Sequence, residues 1–272
     1  MCRHLAYLGP PEPLGELLVR PPHSLYAQSW APRRQRHGTV NADGFGVGWY
    51  ADGDPVPARY RRAGPVWGDL SFADLARVVR SGALLAAVRD ATRADADGEA
   101  AAAPFAYGPW LFSHNGMVAG WPDSLADAAR SLPPAELLSL EARCDSALVW
   151  ALLLHRLRSG DELPQALADT VAEVAAAAPH SRLNLLVTDG TVIAATAWGD
   201  SLWYLHDPAA GRTAVASEPY DDSPEWHEVP DRTLLTAIRT DVLLTPLKDP
   251  DPKDPEPRNP DPRNPEPKEP MA

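Results

Sequence analysis

Two long helical patterns, DSALVWALLLHRLRSG and LPQALADTVAEVAAAA, stand back to back in this chain, with strand patterns on both sides. That order constrains the architecture more than any other feature. A strand block, a helix pair and a second strand block predict mixed sheets covered by helices, an α+β arrangement. In the first block CRHLAYL reads as a short strand, and FGVGWYA and ARYRRA as two strands joined by the turn DGDPVP. SFADLARVVRS reads as a helix capped by Ser71, ALLAAVRDA as an apolar strand, and PWLFSHNGMVAG as a strand ending near His114. The first long helix starts near Asp145 and stops at Gly160. RLNLLVTDG, TVIAATAWG, SLWYLHD and RTAVASEP then read as strands, with Asp189-Gly190 as a hairpin turn.

From Lys248 the sequence becomes KDPDPKDPEPRNPDPRNPEPKEP, a five-residue period of proline and charge. Proline removes backbone donors and fixes φ, and no apolar residue in the repeat can enter a core. Residues 248–272 are expected to form a disordered, solubilising tail of polyproline II character, leaving 2–247 as the folding unit. With 44% hydrophobic residues that unit can bury a sizeable core as one large domain.

Composition also excludes several functions. The net charge is −12, and the nearest thing to a basic stripe is PRRQRH at 32–37, too short to engage nucleic acid. Two cysteines argue against a disulfide framework and against a zinc site of the usual CxxC type. Neither metal nor cofactor is expected. No secretory signal or membrane-length apolar run is visible, so a cytoplasmic protein is expected.

Five stretches carry residues suited to chemistry. Cys2 follows the first methionine; once that residue is removed, Cys2 holds both a thiol (reference pKa ~8.5) and a free α-amine (~8). The amine can accept the thiol proton near neutral pH, so one residue supplies nucleophile and base. The plainer reading is an incidental cysteine in an edge strand. FSHNGMV, 112–118, breaks at Asn115-Gly116, where a side-chain amide and a glycine N–H can hold an oxyanion, or merely turn a hairpin. AAVRDAT places Arg89 at a strand end, able to grip a carboxylate bidentately or to sit idle on the surface. In CDSALVW, Asp145 either caps a helix or binds an ammonium group. The glycines of VNADGFGVGWY let backbones pack closely, and no helix follows to make a dinucleotide fingerprint.

Taken in order, Cys2, NADGFG, RxAT, HNG, DS opening a helix, LNLLVTDG and VASEP resemble the class II glutamine amidotransferases, which are N-terminal-nucleophile hydrolases. The resemblance covers residues 2–219. It implies a four-layer αββα sandwich in which Cys2, freed of Met1, attacks a γ-glutamyl carbonyl. It places Asn115 and Gly116 at the oxyanion hole, Arg89 and Thr92 at the α-carboxylate site, and Asp145 at the α-ammonium site. The sequence departs from the family pattern at Ala86-Ala87, where Gly-His is usual, and at Arg3, where glycine is more common.

No synthase domain follows, so a glutaminase reading requires a separate synthase to receive ammonia. MCRHLAYLG, SLYAQSWAPRRQRHG and NADGFGVGWY are similar to a branch that needs no such partner, the γ-glutamyl amidohydrolases of ergothioneine biosynthesis. That branch implies a small-molecule γ-glutamyl substrate with a trimethylammonium in its leaving group. Trp30, one of nine tryptophans, is the candidate aromatic face for that cation.

Overall fold

The computed structural model describes residues 2–91 and 98–248. Thr92 and the tail from 249 onward therefore lie outside the described residues. The chain opens with strand β1 (Arg3–Pro13), helices α1 (Leu14–Leu18) and α2 (Leu25–Gln28), β2 (Phe45–Trp49), β3 (Ala58–Arg62), α3 (Leu70–Val78) and β4 (Arg80–Val88). It continues through β5 (Phe105–Tyr107), β6 (Trp110–Met117), α4 (Ala126–Arg130), α5 (Pro134–Leu138), α6 (Asp145–Ser159) and α7 (Leu163–Ala177). The last strands are β7 (Arg182–Thr188), β8 (Ile193–Ala197), β9 (Trp203–Asp207), β10 (Arg212–Ala216), β11 (Trp226–Glu228), β12 (Thr233–Ala237) and β13 (Val242–Pro246).

The strands form a seven-stranded sheet, β11-β9-β10-β1-β4-β2-β3, and a six-stranded sheet, β13-β12-β8-β7-β6-β5. Alternation along β1 shows how they stack. Leu5 and Tyr7 face outward into a core shared with α1, α2 and α3, while Ala6 and Leu8 face inward against Leu111 and Leu186 of the second sheet. Beyond the second sheet, Leu185 and Val187 meet Leu153 of α6 and Leu167 and Val171 of α7. Three apolar interfaces separate four layers, helix–sheet–sheet–helix, the αββα sandwich implied by the family resemblance.

Several local expectations change. Both sheets are antiparallel throughout rather than mixed. The helix pair explains this between β6 and β7: one crossover helix brings a chain back parallel, whereas two antiparallel helices return it to the end it left. β1 is not an edge strand but the middle of its sheet, between β10 and β4. Asn115 and Gly116 do not turn; they lie inside β6, paired with Asn184 and Leu183. α3 is capped by Asp69, whose carboxylate accepts the Ser71 and Phe72 amides, not by Ser71. Asp145 is the first residue of α6 rather than its cap, and Gly160 ends that helix in the left-handed region at φ 99°. Asp189 and Gly190 do join β7 to β8, with the Asp189 carboxylate accepting the Thr191 and Val192 amides.

Among the described residues no helix is long and apolar enough to cross a membrane, and no group of three or more His, Cys, Asp and Glu could hold a metal ion.

Candidate active site

The register of the first sheet sets the site. Arg3 pairs with Val88 and Val88 with Phe45, so the start of β1, the end of β4 and the start of β2 finish together. Cys2 lies one residue before this row and Arg89 one residue after it. The NADGFG segment secures that corner. The Arg89 amide donates to the Gly44 carbonyl, the Asp43 amide donates to the Arg89 carbonyl, and the Asp43 carboxylate accepts the Ala91 amide at 2.8 Å. The Arg89 guanidinium also donates to the Asp43 carbonyl, at 3.1 Å. Gly44 has φ 132°, and a β-carbon at Gly46 would run into the Ala103 carbonyl, so these two positions require glycine.

Between this corner and the second sheet lies a cavity of about 550 Å³. Cys2, Arg89, Gly116 and Asp145 all line it. Asn115 is fully buried beside it, and its amide Nδ2 donates to Ser217 Oγ at 3.3 Å. Ser217 Oγ also accepts the His4 amide, two residues from the proposed nucleophile. Trp30 does not line the cavity. It is 45% exposed and meets Tyr26 and Trp67 edge-on, at ring separations of 5.0 and 5.8 Å.

The charges are arranged around Cys2. Burial pushes its thiol above the ordinary range, while the chain's amino terminus, the Arg89 guanidinium and the Asp90 amide pull it back and Asp145 pushes it further up. Cys144, on the same wall, is pushed up to about 11, chiefly by burial. Neither cysteine is a standing thiolate at neutral pH, so a nucleophilic Cys2 needs a base at hand. The Asp145 carboxylate joins two elements, accepting the Val118 amide at 2.9 Å through one oxygen and the Ser146 amide at 2.7 Å through the other. It thereby ties the end of β6 to the first turn of α6 with its charge on the cavity wall.

A family model described as "Glutamine amidotransferases class-II" matches residues 23–215. The chain belongs to the class II glutamine amidotransferases. Cys2 lies ahead of the matched span. A gamma-glutamyl-hercynylcysteine sulfoxide hydrolase of Mycolicibacterium smegmatis is 44% identical over 247 residues, covering 91% of this chain and 100% of that protein. The protein of the same name from Mycobacterium tuberculosis is 44% identical over 248 residues, covering 91% of this chain and 97% of that one. Among solved structures, a glutamine aminotransferase class-II domain protein from Silicibacter pomeroyi has a TM-score of 0.64 at 26% identity, covering 91% of this chain and all of that one.

For a class II amidotransferase chain, the structure gives further residues of the quoted motifs a packing or hydrogen-bonding role. His114 donates from Nε2 to the Arg182 carbonyl, and its Nδ1 is hydrogen-bonded to Ser146 Oγ at 3.0 Å. It braces the helix end that carries Asp145. Gly116 has a packing reason beyond any chemistry, since a β-carbon there would collide with the Arg182 carbonyl. In VASEP, Ser217 anchors Asn115 and Glu218 sits 3.9 Å from the fully buried Arg3. That buried acid is what the unusual Arg3 is matched to. Glu218 also accepts the Arg33 and Arg34 amides, fastening the exposed PRRQRH segment to the sheet. Each of these residues stood inside a quoted motif, but its partner lay too far along the chain for spacing to reveal it.

Proposed function

We propose that this chain hydrolyses the γ-glutamyl amide of γ-glutamyl-hercynylcysteine sulfoxide to glutamate and hercynylcysteine sulfoxide, as a cytoplasmic enzyme of ergothioneine biosynthesis. The observation that carries this reading is the 44% identity, over 91% of the chain, to a hydrolase named for that substrate.

In this reading Met1 is removed and the new α-amine of Cys2 takes the thiol proton, directly or through one water. The requirement for a base agrees with a thiol whose pKa burial has raised. The sulfur adds to the γ-carbonyl carbon. Asn115 Nδ2 and the Gly116 amide stabilise the oxyanion, and the leaving amine departs with the proton. Water then cleaves the Cys2 thioester and releases glutamate. Arg89 and Thr92 hold the α-carboxylate and Asp145 the α-ammonium, which places the scissile carbonyl against the thiol.

The test is glutamate release from the conjugate and from glutamine. A dedicated hydrolase draws transition-state stabilisation from the remote part of its substrate. Its kcat/KM for the conjugate should exceed that for glutamine by about a hundredfold or more, or about 2.7 kcal/mol. Comparable values would favour a glutaminase that feeds ammonia to a separate synthase. Intact mass of the active protein should show Cys2 as the first residue; active protein retaining Met1 would rule out the amine as base.

A further inference from the structure

The proposed leaving group ends in a trimethylammonium, a cation with no hydrogen to donate. A carboxylate can offer it charge but no hydrogen bond, whereas an aromatic face within about 6 Å attracts it without needing one. Among the described residues two aromatic rings of this kind line the cavity, Phe105 and Trp121, and neither is Trp30; Phe105 is 1% exposed and sunk in the core, so the half-buried tryptophan offers the open face. Trp121 lines the cavity, half-buried, with the rest of its ring packed on the core beneath α6 and α7.

The turn that carries Trp121 is fastened to the site. The Trp121 amide donates to the Val118 carbonyl at 3.4 Å, and the Ala119 amide donates to Ser181 Oγ at 3.0 Å. The Val118 amide donates to Asp145, the carboxylate assigned to the α-ammonium. Gly120, beside Trp121, has φ 68°, which suits glycine and makes the sharp bend. The backbone that carries Trp121 is therefore tied to Asp145, the group assigned to the glutamyl head. Two further wall residues, Arg89 and Arg143, are cations that repel a quaternary ammonium. Arg143 suits instead the carboxylate that neighbours the ammonium in a betaine.

We propose that Trp121 is the aromatic face that receives the leaving-group cation and so sets the preference for the betaine conjugate. This rests on the hydrolase reading above and replaces Trp30 in that role.

The experiment compares kcat/KM for the conjugate with kcat/KM for an isostere whose trimethylammonium is a neutral tert-butyl group. The ratio isolates the charge, because size and apolar area are kept. Trp121→Leu should lower the ratio by about 3- to 30-fold, the range of a cation on an aromatic face, and Trp121→Phe by less. A ratio that stays at the wild-type value in Trp121→Leu, with both substrates losing rate equally, would mean that the ring only supports the turn, and overturns the proposal. So would a ratio that falls in Trp30→Leu but not in Trp121→Leu. Should Trp121→Leu not fold, Trp121→Phe carries the same comparison. A wild-type enzyme that cleaves glutamine as well as the conjugate fails the hydrolase reading itself. A wild type that prefers the conjugate yet treats it like the isostere fails only the role of Trp121.

Discussion

Asn115 is an expensive residue to keep where it is. It is fully buried, its Nδ2 has one long hydrogen bond to Ser217, and its Oδ1 has no hydrogen-bond partner among the described residues. A buried amide left half-satisfied costs stability, and a functional role is one reason to keep it. An oxyanion donor is such a function, because a preorganised amide needs no reorganisation as charge develops. Asn115→Ala should lower kcat by about a hundredfold or more with a smaller change in KM. Arg89→Ala should behave differently. It removes charge-assisted hydrogen bonds worth roughly 1.5–3 kcal/mol each and should raise KM as well as lower kcat. Steady-state kinetics on both variants checks the division of roles, and equal, small effects would overturn it. At this scale residue type and motif order named Cys2, Arg89 and Asn115 as candidates, and the structure brings Cys2 and Arg89 onto one cavity wall with Asn115 buried beside it. Ser217 was not named, because its partner lies 102 residues away.

At the scale of elements, the two sheets are joined beside the site by polar contacts rather than by the apolar interface that holds them elsewhere. His4 of β1 reaches Ser113 of β6 at 3.2 Å, and Asn115 of β6 reaches Ser217 just past β10. His4 is fully buried, and burial first, then His114 and Arg3, hold its pKa down at about 3 against an ordinary 6.5. The sign follows from linkage. Between those two values the unfolded chain binds a proton at His4 that the folded chain refuses, so stability falls as pH drops from 6.5 toward 3. His4→Gln should flatten that acid limb. Thermal melts from neutral pH downward measure it, and parallel curves for wild type and variant would show that His4 does not contribute. The helix pair was legible at this scale because its apolar period is long. The antiparallel sheets were not, since strand pairing is set across the chain. The three-residue β5 and β11 and the closing strands β12 and β13 were missed altogether, having short patterns that tertiary pairing completes.

For the whole molecule, the start of β1 and the ends of β4 and β6 border one cavity, lined among others by Cys2, Val88, Arg89 and Gly116. The four layers could be anticipated from the family resemblance more firmly than from periodicity, which gave the helices but not how the sheets stack. β13 is the edge of the second sheet, paired with β12 along its whole length. Beyond it the Leu247 amide donates to the Arg232 carbonyl at 2.7 Å, and the Leu247 side chain packs against the core under α6 and α7. The apolar sequence ends at that residue, and the proline-and-charge period begins at Lys248. A repeat without apolar residues has no apolar surface to bury by docking on the domain, and ion pairs alone would contribute little. Truncation after Leu247 should therefore keep the last strand, its closing hydrogen bond and every proposed site residue. Melting temperature should move by no more than about 2 °C, less than a loss of 1 kcal/mol would produce in many domains of this size. Hydrolysis of the conjugate should be unchanged within error. Cutting three residues earlier should be costly by comparison, since it removes Leu247 and the end of β13. A large loss of melting temperature or rate on cutting after Leu247 would mean that the repeat packs on the sandwich, and the folding unit would then extend beyond residue 247.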